Sequence, residues 1–158
     1  MEQSQPTNSH DAMAEEIFAL TVLAWRERLA SRQRSEVTDL SESQFLTLDT
    51  LVRAPSILTV GEIQRTIGVL PAQMSRIIRS LESNFDKPLI KCELNPHDKR
   101  KIDVTLTTEG RKTYEEFRDA RLSKTVQILT GLPERDRLEF VRICREIKLL
   151  YKAPLTTE

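Results

Sequence analysis

The chain has 158 residues, a length that suits one domain with a real core, and 39% of them are hydrophobic, which excludes a disordered chain. No apolar run approaches the ~20 residues of a membrane span, and the polar start from Met1 to His10 has neither the basic nor the apolar region of a secretory signal, so a cytoplasmic protein with no membrane association is expected. The 24 Lys and Arg are matched by 24 Asp and Glu, a balance that at first sight argues against a nucleic-acid partner.

Only 4 glycines occur, and none stands in a phosphate-cradling loop, so a nucleotide-binding enzyme has no support. Cys92 and Cys144 form no CxxC and read as small buried hydrophobes. His10 and His97 lack metal partners at suitable spacing, and no Ser/His/Asp or Cys/His grouping points to catalysis. Neither a cofactor nor a metal is expected, and the chain does not read as an enzyme.

Along the chain, residues 1–11 read as a disordered tail, and 12–40 as an N-terminal dimerisation helix followed by a linker from Ser31 to Asp39. Between Ala12 and Arg32 there is no Pro or Gly, and apolar residues follow helical spacing on two stripes, Met13, Ile17, Leu20, Ala24 and Phe18, Val22, Trp25, Leu29. A helix that is apolar on two sides, in a protein this small, is expected to meet a second subunit. Ser41 to Gln44 reads as a capping box that opens a helix with Phe45, Leu48, Leu51 and Val52 inside, ending before Pro55. Thr59 to Glu62 is a second box, opening a short helix with Ile63 and Ile67 inside and Gly68 as its left-handed stop.

Pro71 then suits a first helical position, and Leu70, Met74, Ile77, Ile78 and Leu81 share one narrow arc at 100° per residue. The opposite face holds Ala72, Arg76, Arg79 and Ser83, flanked by Gln73, Ser75 and Ser80, with no carboxylate before Glu82. Two extended runs follow, Leu89 to Leu94 and Lys101 to Leu106. The second alternates as a half-buried strand, and Asn95 to Asp98 is rich in turn formers, so the pair reads as a hairpin tipped by Lys99, Arg100 and Lys101. Thr107 caps a long helix ending near Gly131, and Pro133 precedes a last helix with Leu138, Val141, Cys144, Ile147 and Tyr151 along one side.

The fold class is therefore mainly α with a small β-hairpin wing. A winged helix-turn-helix over 41–107 is flanked by N-terminal and C-terminal dimerisation helices, the latter over 108–158. A helix enters the major groove only if its outer face is thin and can donate to phosphates and base edges. Ala72, Gln73, Ser75, Arg76 and Arg79 meet that demand: Gln73 can bond adenine, Arg76 guanine and Ser75 a phosphate. The tip, with Lys99, Arg100 and Lys101, adds a cationic element that can follow the backbone or enter a narrow minor groove.

These residues resemble the MarR family of winged-helix transcriptional regulators. The likeness runs through Leu40 to Phe45 with Leu48, Thr59 to Ile63, Ile67 to Val69, Met74 to Ile78 with Leu81 and Glu82, and Asp98 to Arg100 followed by Val104, Leu106, Thr107, Gly110 and Arg111. It implies an obligate homodimer whose wings reach the minor groove, with Arg100 in that role and Asp98 holding its guanidinium. The chain departs from the family at Leu70 and Pro71, where a Ser or Thr is usual. It also departs over the six residues from Ser83 to Pro88, which are longer than usual and lack a glycine.

Partition of the charge removes the first objection to a nucleic-acid partner. Residues 1–58 hold 5 basic and 9 acidic residues, whereas 59–107 hold 8 basic and 6 acidic, and Ile63 to Leu81 has three arginines and no acid. The expected function is sequence-specific binding of double-stranded DNA as a homodimer on a pseudo-palindromic operator, most simply as a repressor, with a small-molecule effector near Trp25 and Arg26. A second reading of the same scaffold is a protein-interaction or small-molecule-binding module without useful DNA affinity.

Overall fold

The structure, a computed structural model, describes residues 10–32 and 40–152. The expected tail up to Ser9, most of the expected linker and the last six residues lie outside the described residues. The chain divides into two compact units, Met1–Ser41 and Glu42–Glu158.

The first unit contributes one helix, α1 (His10–Arg32), which starts two residues ahead of the expected Ala12 and carries Asp11 in its first turn, where an acid suits the helix dipole. Neither apolar stripe is buried: Met13, Ile17 and Leu20 of one, and Phe18, Trp25 and Leu29 of the other, are all exposed.

The second unit begins with α2 (Glu42–Arg53), β1 (Leu58–Thr59) and α3 (Val60–Ile67). Around α3 the local signals act as read: Thr59 Oγ1 accepts from the Glu62 amide, and the Glu62 carboxylate accepts from the Thr59 amide at 2.7 Å. Gly68 stops α3 at φ 71° and ψ 33°, and its amide donates to Gln64 O at 3.0 Å. Only a residue without Cβ takes that backbone conformation cheaply.

The next helix, α4 (Pro71–Ser83), buries Met74, Ile77 and Leu81. Leu70, assigned by the periodicity to the same arc, is instead 74% exposed. The reason is local. Leu70 is the N-cap, with φ −70° and ψ 152°, so its Cβ does not follow the 100° step of the helix behind it.

Strands β2 (Ile90–Leu94) and β3 (Ile102–Leu106) form the expected antiparallel hairpin, with Ile90 opposite Leu106 and Leu94 opposite Ile102. The sheet has a third strand that the sequence did not suggest. β1 pairs with β3, Leu58 opposite Val104 and Thr59 opposite Asp103, which roots the wing beside the start of α3. Two residues are too few to display a strand period.

Last come α5 (Thr108–Thr130) and α6 (Glu134–Lys152). The N-cap Thr107 is used twice: its Oγ1 accepts from the Gly110 amide at 2.9 Å and donates to Pro88 O at 2.7 Å. Its own amide donates to Leu89 O at 3.1 Å. Gly110 faces the same strand root, and a Cβ there would collide with the Leu89 carbonyl.

The core of this unit is built from Leu48, Ile63, Met74, Leu81, Leu89, Ile90 and Val104, each essentially buried and each worth ~1.5–3 kcal/mol against exposure. The first turns of α5 add Tyr114 and Phe117. Phe45 stacks on Tyr114 with ring centroids 5.3 Å apart and lies 5.1 Å from Phe117. The Tyr114 hydroxyl donates to Asp49 at 2.7 Å, and Arg53 donates to both oxygens of the same carboxylate. Beyond Phe117 the picture changes: α6 buries none of its residues, and Leu138, Phe140, Leu149 and Leu150 are exposed, as are Val126 and Ile128 of α5. Among the described residues, no helix is long and apolar enough to cross a membrane.

Candidate nucleic-acid interface

The outer face of α4 is held by the helix's inner side. Met74, Ile77 and Leu81 anchor it in the core, and Gln44 Nε2 donates to Ser80 Oγ at 2.7 Å, tying α4 to α2. The sequence suggested Gln44 as a capping residue for its own helix. This contact, 36 positions away along the chain, had no local signal.

On the outer face, Ala72, Gln73, Ser75, Arg76 and Arg79 are all exposed. Among the described residues neither arginine forms an ion pair. The first acid along the helix, Glu82, lies near the Cys92 thiol of β2. Burial, together with that neighbouring carboxylate, pushes the Cys92 thiol up to about 11, so it stays protonated near neutrality. Ser75 is less available for a phosphate than its type suggests, because its hydroxyl donates back to Pro71 O at 3.1 Å.

At the wing tip, backbone and side chains fix one arginine. Asn95 Oδ1 accepts from the amides of His97 and Asp98 at 2.9 Å each, while Asn95 Nδ2 donates to Asp103 at 2.9 Å. Asp98 accepts from the Arg100 amide and from Arg100 Nε, both at 3.1 Å, with Lys101 Nζ at 3.9 Å from the same carboxylate. The Arg100 hydrogen bonds and the Lys101 charge hold the Asp98 carboxyl below its ordinary range. Although tethered, the Arg100 side chain is 92% exposed, and Lys99 is exposed beside it. A guanidinium held at its root with its face in water is preorganised for an anionic partner.

The site residues read from the sequence thus fall on three places: five on the outer face of α4, four at the wing tip, and Trp25 and Arg26 exposed on α1 in the other unit. Among the described residues, no group of three or more His, Cys, Asp or Glu converges as a metal site would require.

No protein-family model and no curated protein matches the chain. Solved structures do. The YusO protein from Bacillus subtilis is 27% identical with a TM-score of 0.68, the match covering 90% of this chain and 99% of that one. A MarR family protein from Bacillus stearothermophilus gives a TM-score of 0.73 at 19% identity, covering 92% and 99%. FabT from Streptococcus pneumoniae, solved in complex with DNA, gives 0.71 at 17% identity, covering 91% and 96%.

Proposed function

This chain has the winged-helix fold of the MarR-family regulators, and from that premise we propose that it is a DNA-binding transcriptional regulator. One observation carries the reading: a helix face bearing Arg76 and Arg79, without an ion-pair partner among the described residues and anchored from behind, accompanies a hairpin whose Arg100 is tethered by Asp98. FabT, a relative in fold, binds DNA in its own crystal structure. In the proposal α4 enters the major groove, Gln73 and Arg76 meet base edges, and Ala72 lets the helix approach. Arg79, Lys99 and Lys101 follow phosphates, and Arg100 reaches the minor groove.

The finer part of the proposal is a homodimer that represses by occupying a pseudo-palindromic promoter site. Its support is that α1 and α6 each leave large apolar side chains exposed in a single chain, as helices do that pair with another surface. Two-fold symmetry would then set the two copies of α4 about 34 Å apart, one turn of DNA. An effector docking at Trp25 and Arg26 belongs to the same proposal, and the single tryptophan makes it visible by fluorescence.

The test is anisotropy against a duplex selected from a random-sequence pool, run over a range of salt. Arg100→Ala is expected to weaken binding to all duplexes and lower the salt slope by about 1 per copy, whereas Arg76→Ala also relaxes base preference. Unchanged affinity and slope in both variants refutes the assignment. Failure to bind any duplex at low salt favours the interaction-module reading, and a monomer by light scattering at micromolar concentration removes the dimer.

A further inference from the structure

An exposed leucine is ordinary by itself. Leu70 is not ordinary in its place. It is 74% exposed and stands immediately before α4 as its N-cap, where an isobutyl group turned to solvent leaves the first-turn amides without a side-chain cap. Pro71 follows, with no N–H, and then exposed Ala72. The leading edge of the helix therefore offers three successive apolar side chains and no side-chain donor or acceptor, ahead of a flank and face that carry Gln73, Arg76 and Arg79.

In a major groove, base edges display donors, acceptors and one apolar group, the C5-methyl of thymine. The N-terminal residues of a recognition helix are those that meet base edges. A leucine placed there can form no hydrogen bond. Set over a cytosine amino group or a guanine carbonyl, it would strip water from a polar edge and return nothing. Over a thymine methyl, it buries apolar surface on both sides.

We infer that Leu70 is a specificity-determining residue that reads the C5-methyl of one thymine in each half-site; this rests on the DNA-binding reading above. The contact selects a thymine without a hydrogen bond, and it takes its precision from the backbone: Gly68 turns the chain, and Leu70 O accepts from Met74 N at 2.9 Å, which fixes the N-cap against the helix.

The experiment replaces each thymine of the pool-selected duplex, one at a time, by deoxyuridine, which removes only the methyl. One replacement per half-site is expected to weaken wild-type binding about fourfold, the worth of one buried methyl group. Leu70→Ala is expected to bind the thymine duplex more weakly and to lose that sensitivity to deoxyuridine, while Leu70→Met retains it. Circular dichroism checks that the variants keep the fold. If no thymine position is sensitive, or if Leu70→Ala keeps the wild-type sensitivity, the inference is overturned and DNA binding stands. If the protein selects no duplex at all, both readings fall.

Discussion

Gly110→Ala separates two opposed physical expectations. Gly110 lies within the first turn of α5, and helix propensity alone says that Ala there should stabilise the protein by about 1 kcal/mol. The tertiary structure says the opposite, because the new Cβ would collide with the Leu89 carbonyl. That carbonyl is backbone and already accepts from the Thr107 amide, and the adjoining Pro88 carbonyl accepts from the Thr107 hydroxyl. Neither can step aside alone. Relief requires α5 to lift from the root of the wing, at an overpacking cost of about 1–3 kcal/mol. Both Thr107 hydrogen bonds to these carbonyls, about 0.5–1.5 kcal/mol each, go with it. Less the propensity gain, the net is a destabilisation of roughly 1–5 kcal/mol. Urea unfolding followed by circular dichroism, at one fixed protomer concentration, reads this as a lower midpoint with little change in slope. A midpoint equal to or above wild type would refute the close-approach argument.

Three further predictions concern the site and its supports. Asp98→Asn removes an anion near a proposed phosphate path, so simple charge counting expects tighter DNA binding; because Asp98 holds Arg100 in place, binding should instead weaken several-fold by anisotropy, and tighter binding would show the tether to be unimportant. Tyr114→Phe removes the hydroxyl that Asp49 accepts from, 65 positions along the chain, and should cost about 1 kcal/mol in urea unfolding, since Asp49 keeps Arg53; no loss would mean that the bond contributes nothing net. In a Cys144→Ser background, iodoacetamide should label Cys92 slowly at pH 8 and faster as pH approaches about 11, and rapid labelling at pH 7 would contradict the raised thiol. The linkage has a definite sign: between the ordinary value of 9.0 and about 11 the folded chain keeps a proton that the unfolded chain releases, so this stabilising contribution is present below pH 9 and is lost as pH rises through that window.

The features legible in the sequence are those decided within a few residues. Thr59 and Glu62 cap each other three positions apart, Gly68 is free to turn left-handed, and Asn95 closes a turn on His97 and Asp98, whereas the grip of Asp98 on Arg100, equally short in the chain, was implied by the family resemblance. Each is a short loop of chain whose geometry depends little on the rest of the molecule, which is why the helix-turn-helix, the wing and their basic residues could be read in order. The apolar arc of α4 was legible too, but only where the residues are helical. Leu70, one position outside, escaped the period.

What the tertiary structure decided lies between distant positions. The pairing of β1 with β3, Gln44 on Ser80, Tyr114 on Asp49, Cys92 on Glu82, and the space denied to a side chain at Gly110 all join segments whose sequences give no sign of one another. Local chemistry chose the elements and placed charge on their outer faces; packing chose which of those side chains are held, which are turned away and which, like Leu70, are left facing out.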